Sequence, residues 1–305
     1  MNGLRKGKIL VVGSTNTDMV VRTEHLPRPG ETVLGGTFLM NPGGKGANQA
    51  VAAARLGADV IFVCKTGNDM FGITTRQQLA QEGIDTRFVF IDDHNPSGVA
   101  LISVDSRAEN TIVVASGANA NLLPLDVAGR NGVDDCDIVL MQLETPMTTI
   151  EYVAPKPPSA ASGRCSIRLP APRCRRNCSK SLPDYVNETE AEIITGIRST
   201  MPRPKPKRPA VSGRWAQNVI ITLGSRGAYI CNDRFDEAVP AQKVRAVDTT
   251  AAGDVFNGAL VVALSEGKSL EEAVRFASRA SAISVTRMGA QSSIPYRSEV
   301  DRFVP

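Results

Sequence analysis

Asp248-Thr249-Thr250-Ala251-Ala252-Gly253-Asp254 runs directly into an apolar stretch, VFNGALVVAL. Small residues let a backbone come close to a ligand, and the outward N–H groups and positive dipole of a helix start favour an anion. Asp254 adds a negative charge at that same end, which anion binding alone does not require. A carboxylate beside a phosphate cradle suits a base that takes a proton from an attacking hydroxyl. The local pattern leaves a second possibility open, in which Asp254 caps its helix and Gly253 makes a tight turn.

Asn41-Pro42-Gly43-Gly44-Lys45-Gly46-Ala47-Asn48 leads into an Ala-rich helix. It is not a phosphate loop of the GxxxxGK[ST] kind, because the first glycine and the Ser/Thr are missing. Nor is it GxGxxG, because Gln49 replaces the last glycine. Two glycines with Asn and Lys at a helix start suit a polyhydroxylated or anionic ligand, and an ordinary helix start is the alternative. Gly13-Ser14-Thr15-Asn16-Thr17-Asp18 follows an apolar strand, where ligands of open α/β sheets gather. Asn16 and Asp18 point to one side of an extended segment, or form an Asx turn. Thr222-Leu223-Gly224-Ser225-Arg226-Gly227 is a Gly-rich turn after a strand. Asn187-Glu188-Thr189-Glu190 opens a helix, a pattern a simple cap also explains.

These motifs need a scaffold of alternating elements. Lys8–Gly13, Asp59–Cys64, Asp137–Gln142 and Val219–Leu223 read as strands. Gly46–Leu56, Phe71–Gln81, Asn187–Thr195, Gly253–Leu264 and Leu270–Arg287 read as helices. That alternation predicts a parallel sheet with crossover helices. Val20–Arg22 with Thr32–Met40, and Val99–Val104 with Asn110–Ala115, are β-prone pairs that predict a second, small sheet. Gly227–Cys231 is expected to pair with the 219–223 strand.

Composition narrows the class. Of 305 residues, 42% are hydrophobic and 22% charged, which suits a globular protein with a substantial core. No run of about 18 apolar residues is present, so no membrane span is expected. Residues 1–8 lack a signal-peptide pattern, and a cytoplasmic location is expected. Six cysteines are too few for a disulfide scaffold. Cys64, Cys136 and Cys231 read as buried thiols, and Cys165, Cys174 and Cys178 lack zinc spacing. The net charge of +4 does not predict nucleic-acid binding. Residues 155–183 hold seven Lys/Arg and no acid, and 200–216 hold five and no acid. These twelve charges leave −8 for the rest, so the excess sits in two Pro-rich stretches rather than on a folded basic face.

Taken in order, GSTNTD, GGKGANQAVAAARLGA, MQLE, NETEAE, TLGSRG and DTTAAGDVFNGAL resemble the ribokinase branch of the phosphofructokinase-B type carbohydrate kinases. The match covers roughly 8–154, 187–198 and 217–300. It implies a single three-layer α/β/α domain over 1–305 with a mainly parallel sheet. A small β-sheet lid, from about 18–40 and 98–115, would complete the sugar pocket and join two chains as a homodimer. It implies transfer of the γ-phosphoryl group of ATP to the 5-hydroxyl of D-ribose, with a deoxyribokinase, another sugar kinase or a non-catalytic sugar or nucleotide sensor as alternatives. Asp254 would be the general base, and the N–H groups of Ala251, Ala252 and Gly253 the anion hole. Asn16, Asp18, Gly44, Lys45, Asn48 and Glu144 would hold the sugar. Asn187, Thr222, Gly224, Ser225 and Gly227 would contact ATP. Glu190 would organise Mg²⁺ through water. K⁺ would lie near Asp248 and Thr250, with Ser284, Arg287, Gly289 and Ser293 contributing, largely through carbonyl oxygens.

The chain departs from that pattern at 155–183 and 200–216. Six prolines and five arginines stand in 155–183, where the family places a helix, a strand and a helix. Retained length with altered composition reads as a frame-shifted stretch later restored, and a genuine basic insertion is the alternative. Proline is nearly excluded from central strands and unpaired arginine from cores, so both stretches are expected to be irregular.

Overall fold

The computed structural model describes residues 6–107, 109–128, 136–153, 165–168, 183–188, 192, 218–232 and 236–304. The strands of the main sheet are β1 (Lys8–Val12), β4 (Asp59–Gly67), β5 (Val89–Asp92), β8 (Ile138–Met141), β9 (Cys165–Arg168), β10 (Pro183–Asn187), β11 (Asn218–Thr222), β12 (Ala228–Asn232) and β13 (Asp236–Val239). A second sheet holds β2 (Asn16–Arg22), β3 (Thr37–Gly43), β6 (Gly98–Val104) and β7 (Asn110–Ala115). The helices are α1 (Lys45–Arg55), α2 (Met70–Gln81), α3 (Pro124–Val127), α4 (Met147–Val153), α5 (Ala252–Ser265), α6 (Leu270–Ser284) and α7 (Arg297–Arg302).

The order across the main sheet is β13-β12-β11-β10-β9-β8-β1-β4-β5. All pairings from β11 to β5 are parallel, and β12 and β13 add antiparallel at one edge. The apolar run KILVV is central because both its faces are covered. Ile9 and Val11 join one core with Ala50, Val51, Leu260 and Phe276, while Leu10 and Val12 join the other with Leu122, Met141 and Ile150. A strand buried on both faces has no polar alternation to show. Helices α1, α5 and α6 therefore cover one face, and α4 with the Leu122–Val127 segment the other. Cys64, Cys136 and Cys231 are free and buried. Among the described residues no helix is long and apolar enough to cross a membrane.

One glycine sets the spacing that matters most. A Cβ on Gly258 would lie 2.6 Å from Ala52 Cβ and 2.8 Å from Gln49 O, so α5 can lie hard against α1 only because none is there. That approach brings Asp254 in the first turn of α5 to Asn48 and Gln49 in the first turns of α1.

The small sheet has the order β3-β2-β6-β7, and it is longer toward the main domain than its apolar residues suggest. β2 begins at Asn16 rather than Val20, and β3 ends at Gly43 rather than Met40. Asn and Asp are depleted in strands, so NTD does not read as one. Pro42 is accommodated because β3 is an edge strand.

Two expectations change. Within 155–183 the backbone of Cys165–Arg168 is a strand, pairing Ile138↔Cys165 through Met141↔Arg168 with β8 and Asp184↔Arg168 with β10. The four residues CSIR contain no proline, so nothing in them denies the ladder its donors. Asn187 closes β10, opposite Thr222 of β11, and the helix expected from it is entered one residue later, at Glu188. The remainder of 155–182, all of 200–216 and Glu190 lie outside the described residues.

Candidate active site

The motifs collect at the carboxyl ends of β1, β8, β10 and β11, beside the starts of α1 and α5. Asp254 sits in the first turn of α5 but caps nothing: no side chain caps that helix. Its Oδ1 instead accepts from Gln49 Nε2 at 2.9 Å, and its Oδ2 from Asn48 Nδ2 at 3.0 Å. The capping alternative is thereby removed. Burial pushes the Asp254 carboxyl up to about 6, and the nearby Glu144 charge adds to this. The bonds from Gln49 and Asn48 and the charge of Lys45 pull the other way.

The cradle before Asp254 is tight. Ala251 adopts φ 59, ψ 9, the only non-glycine residue with positive φ among the described residues. The left-handed turn draws Ala252 N–H onto Thr249 O at 3.2 Å. Of the three N–H groups expected to cradle an anion, that of Ala252 is thus already engaged within the turn.

A cleft of about 590 Å³ opens in front of this turn. Its walls include Ala251, Ala252, Gly253 and Asp254, and also Lys45, Asn187, Thr222, Gly224, Ser225 and Gly227. All five residues expected at the nucleotide therefore share one cleft with the expected base. Gly224 and Gly227 both have positive φ, and a Cβ on Gly227 would strike Val239 O at 2.1 Å. Sequence reasoning missed four further lining residues, Ala241, Gln242, Val244 and Ala246, which come from a loop without a motif.

The residues expected at the sugar also gather near Asp254, and Lys45 among them lines the cleft as well. Asn16 and Asp18 lie two apart on β2 and so share a face. Glu144 Oε2 accepts from Ser14 Oγ at 2.6 Å, and Lys45 Nζ lies 3.7 Å from Glu144 Oε1. Gly44 is the N-cap of α1, with φ 89 and ψ 132. Burial pushes the Asp18 carboxyl up to about 6, with the charges of Glu144 and Asp254 adding to it. Asn119, which no motif marked, donates through Nδ2 to Asn16 Oδ1 at 2.8 Å and to Thr15 O at 2.9 Å. It comes from the 3₁₀ turn after β7, beyond every quoted motif.

The segments expected to hold K⁺ are tied together. Asp248 Oδ1 accepts from Thr250 N–H at 2.9 Å and Oγ1 at 2.6 Å, and Oδ2 from Gly289 N–H at 2.9 Å. Burial pushes Asp248 up, but those three bonds outweigh it and hold the carboxyl below its usual range. The Ser284 and Ser293 hydroxyls donate to Ser281 O and Ala290 O, and the Arg287 guanidinium pairs with Glu299. The two hydroxyls keep oxygen lone pairs while donating, whereas the Arg287 side chain carries no acceptor and has only its backbone oxygen to offer a cation.

The pfkB family carbohydrate kinase pattern matches residues 6–297. A ribokinase of Haemophilus influenzae is 42% identical over 301 residues, covering 97% of this chain and 98% of its own. The crystal structure of ribokinase from Thermotoga maritima superposes with a TM-score of 0.84 at 38% identity, over 97% of this chain and 98% of that one. The structure of Arabidopsis thaliana ribokinase complexed with ribose and ATP does so with 0.80 at 29% identity, over 98% and 100%. The three-layer fold and these likenesses define a sugar kinase. The chain belongs to the pfkB family of carbohydrate kinases.

Proposed function

We propose that the chain is an ATP-dependent ribokinase, transferring the γ-phosphoryl group of ATP to the 5-hydroxyl of D-ribose. One observation carries this reading. Asp254 stands where the 590 Å³ cleft meets the polar cluster of Asn16, Asp18, Asn48 and Glu144, and its oxygens are held by α1 rather than spent on capping. ATP would lie in the cleft with its phosphates toward Ala251–Gly253. Ribose would lie against the cluster. Asn48 Oδ1 is buried without a protein partner among the described residues, which suits a sugar hydroxyl as donor.

The chemistry then needs little beyond positioning. The ribose 5-oxygen attacks the γ-phosphorus, and the bond from that phosphorus to the β,γ-bridging oxygen breaks, its electron pair leaving with ADP. The hydroxyl proton passes to Asp254, late in a loose transition state. N–H groups of the 251–253 turn face the charge on the transferring group. Mg²⁺, organised with Glu190, would neutralise phosphate charge. The lid would exclude water, the competing acceptor. A coupled ATP-consumption assay with a panel of pentoses and hexoses tests the reading. Ribose is expected to be turned over best, whereas preference for deoxyribose or a hexose, or no turnover, overturns it.

The reading includes K⁺ at the joined 248–250 and 284–293 segments, where Asp248 already bridges to Gly289. An ion there would order the turn beside the cradle. Turnover is expected to fall severalfold when potassium is replaced by tetramethylammonium, and equal rates would remove the ion from the mechanism. It also includes a homodimer through the lid, in the cytoplasm. Val21, Phe38, Leu39, Met40, Leu101, Ile112, Val113 and Val114 are all exposed on that one sheet. Apolar side chains gathered in this way mark an interface. Sedimentation is expected to show two chains, and Val113→Glu to give one; a wild-type monomer overturns this part.

A further inference from the structure

Gln49 and Gln142 are both fully enclosed, and neither belongs to the sugar cluster or the nucleotide cleft. They form a chain that ends on Asp254. Gln142 Nε2 donates to Gln49 Oε1 at 2.6 Å, and Gln49 Nε2 donates to Asp254 Oδ1 at 2.9 Å. The two links join β8's end, α1 and α5, across 93 and 205 positions of sequence.

The chain runs in one direction for a physical reason. A glutamine amide has a donor end and an acceptor end of nearly equal shape. With its oxygen toward Asp254, Gln49 would set two acceptors face to face. Gln142 prevents this by presenting its own N–H to the Gln49 oxygen. Gln142 is held in turn by its position. Its Oε1 lies against Gly13, where an added Cβ would come within 1.8 Å of it, and that oxygen has no partner among the described residues. Leaving one buried acceptor unpaired costs about 1–3 kcal/mol, so the arrangement is kept against a local penalty.

We propose that Gln49 and Gln142 are positioning residues for phosphoryl transfer, a one-way amide chain that fixes the Asp254 carboxylate as an acceptor facing the cleft. The proposal rests on Asp254 as the proton acceptor. The other groups facing that carboxylate are Asn48 and Lys45 of α1, Glu144 beyond β8, and Asp18 of β2. Gln49, Asn48 and Lys45 favour its ionised form. Losing the Gln49 donor therefore raises the proton affinity of Asp254, and the acid limb of activity moves to higher pH.

The test uses Gln49→Met, Gln142→Met and Gln49→Glu, with the pH dependence of kcat, a thermal melt and Asp254→Asn as reference. Gln49→Met is expected to move the acid limb up by about one pH unit, a tenfold change in ionisation at a given pH below it. Gln142→Met moves it in the same direction by less, because Gln49 is then free to turn. Gln49→Glu moves it furthest, since the new carboxyl shares a proton with Asp254, and it keeps the shape should the Met variants fail to fold. A limb at the wild-type pH in the folded variants, with only the melt lowered, overturns the proposal. Should Asp254→Asn keep its turnover, the proton-acceptor assignment itself falls, which the same series reads separately.

Discussion

Asp254→Asn is expected to lower kcat by about 10²–10⁴-fold, the usual loss when a general base is removed. The substitution keeps the side chain's shape but leaves the ribose 5-hydroxyl no place to send its proton. ATP and sugar affinities are expected to change little. The cleft walls at Asn187, Thr222, Gly224, Ser225 and Gly227 are untouched, as are Asn16, Asp18 and Glu144. Steady-state kinetics with direct binding measurements separate the outcomes. Turnover like the wild type would remove Asp254 from the chemistry. A higher KM at unchanged kcat would make it a binding residue instead.

Gly44→Ala is expected to damage the fold and the sugar site together. At φ 89 and ψ 132 the backbone occupies a region an L-residue adopts at a cost of about 1–3 kcal/mol. The added Cβ would also stand 2.7 Å from Asn16 N and 2.8 Å from Thr15 Cα, which are backbone and cannot swing aside. Either the 13–16 turn or the start of α1 must shift. Both carry sugar-cluster residues, so the sugar KM is expected to rise about tenfold or more, as a 1.4 kcal/mol loss would give. The clashing atoms belong to Thr15 and Asn16 and not to the 222–227 turn, so nucleotide affinity should change less. The melting temperature should fall by several degrees, at about 2–4 °C per kcal/mol for a domain approaching this size. A variant with the wild-type melt and sugar KM would show that the turn relaxes freely.

What the sequence revealed and concealed follows from how far each signal travels along the chain. KILVV declares a central strand because burial on both faces leaves no polar position. DTTAAGD before an apolar helix declares a tight turn at a helix start, because small residues and the onset of an apolar run are local facts. Whether Asp254 caps or reacts is not local. Either role puts a carboxylate in the first turn, and only the approach of α1, allowed at Gly258, shows that this one is not a cap. Gln49 entered the sequence reading merely as the residue that spoils a glycine pattern. Its partners lie 93 and 205 positions away, so no spacing rule reaches them. Asn119 stayed hidden for the same reason, 103 positions from the Asn16 it orients. Asn187 shows a different limit. The last residue of a strand and the cap of the following helix can be the same few polar residues, and NETE reads as the cap alone. At Cys165–Arg168 the prolines and arginines on either side outweighed four residues that have no quarrel with a strand.

The left-handed turn at Ala251 has a consequence for the resting molecule. A residue with a Cβ sits there about 1–2 kcal/mol above its right-handed state, where glycine would sit at no such cost. The surrounding contacts, not the turn itself, keep it in place: Ala252 N–H on Thr249 O, Val255 N–H on Ala251 O, and Ser281 Oγ on Ala252 O. Elastic energy is thus held at the mouth of the cleft before any ligand arrives. The turn at Ala251 is held against its own backbone preference by contacts within the chain. A ligand against this turn would add to those contacts, so filling the cleft would stiffen α5 from its first turn onward.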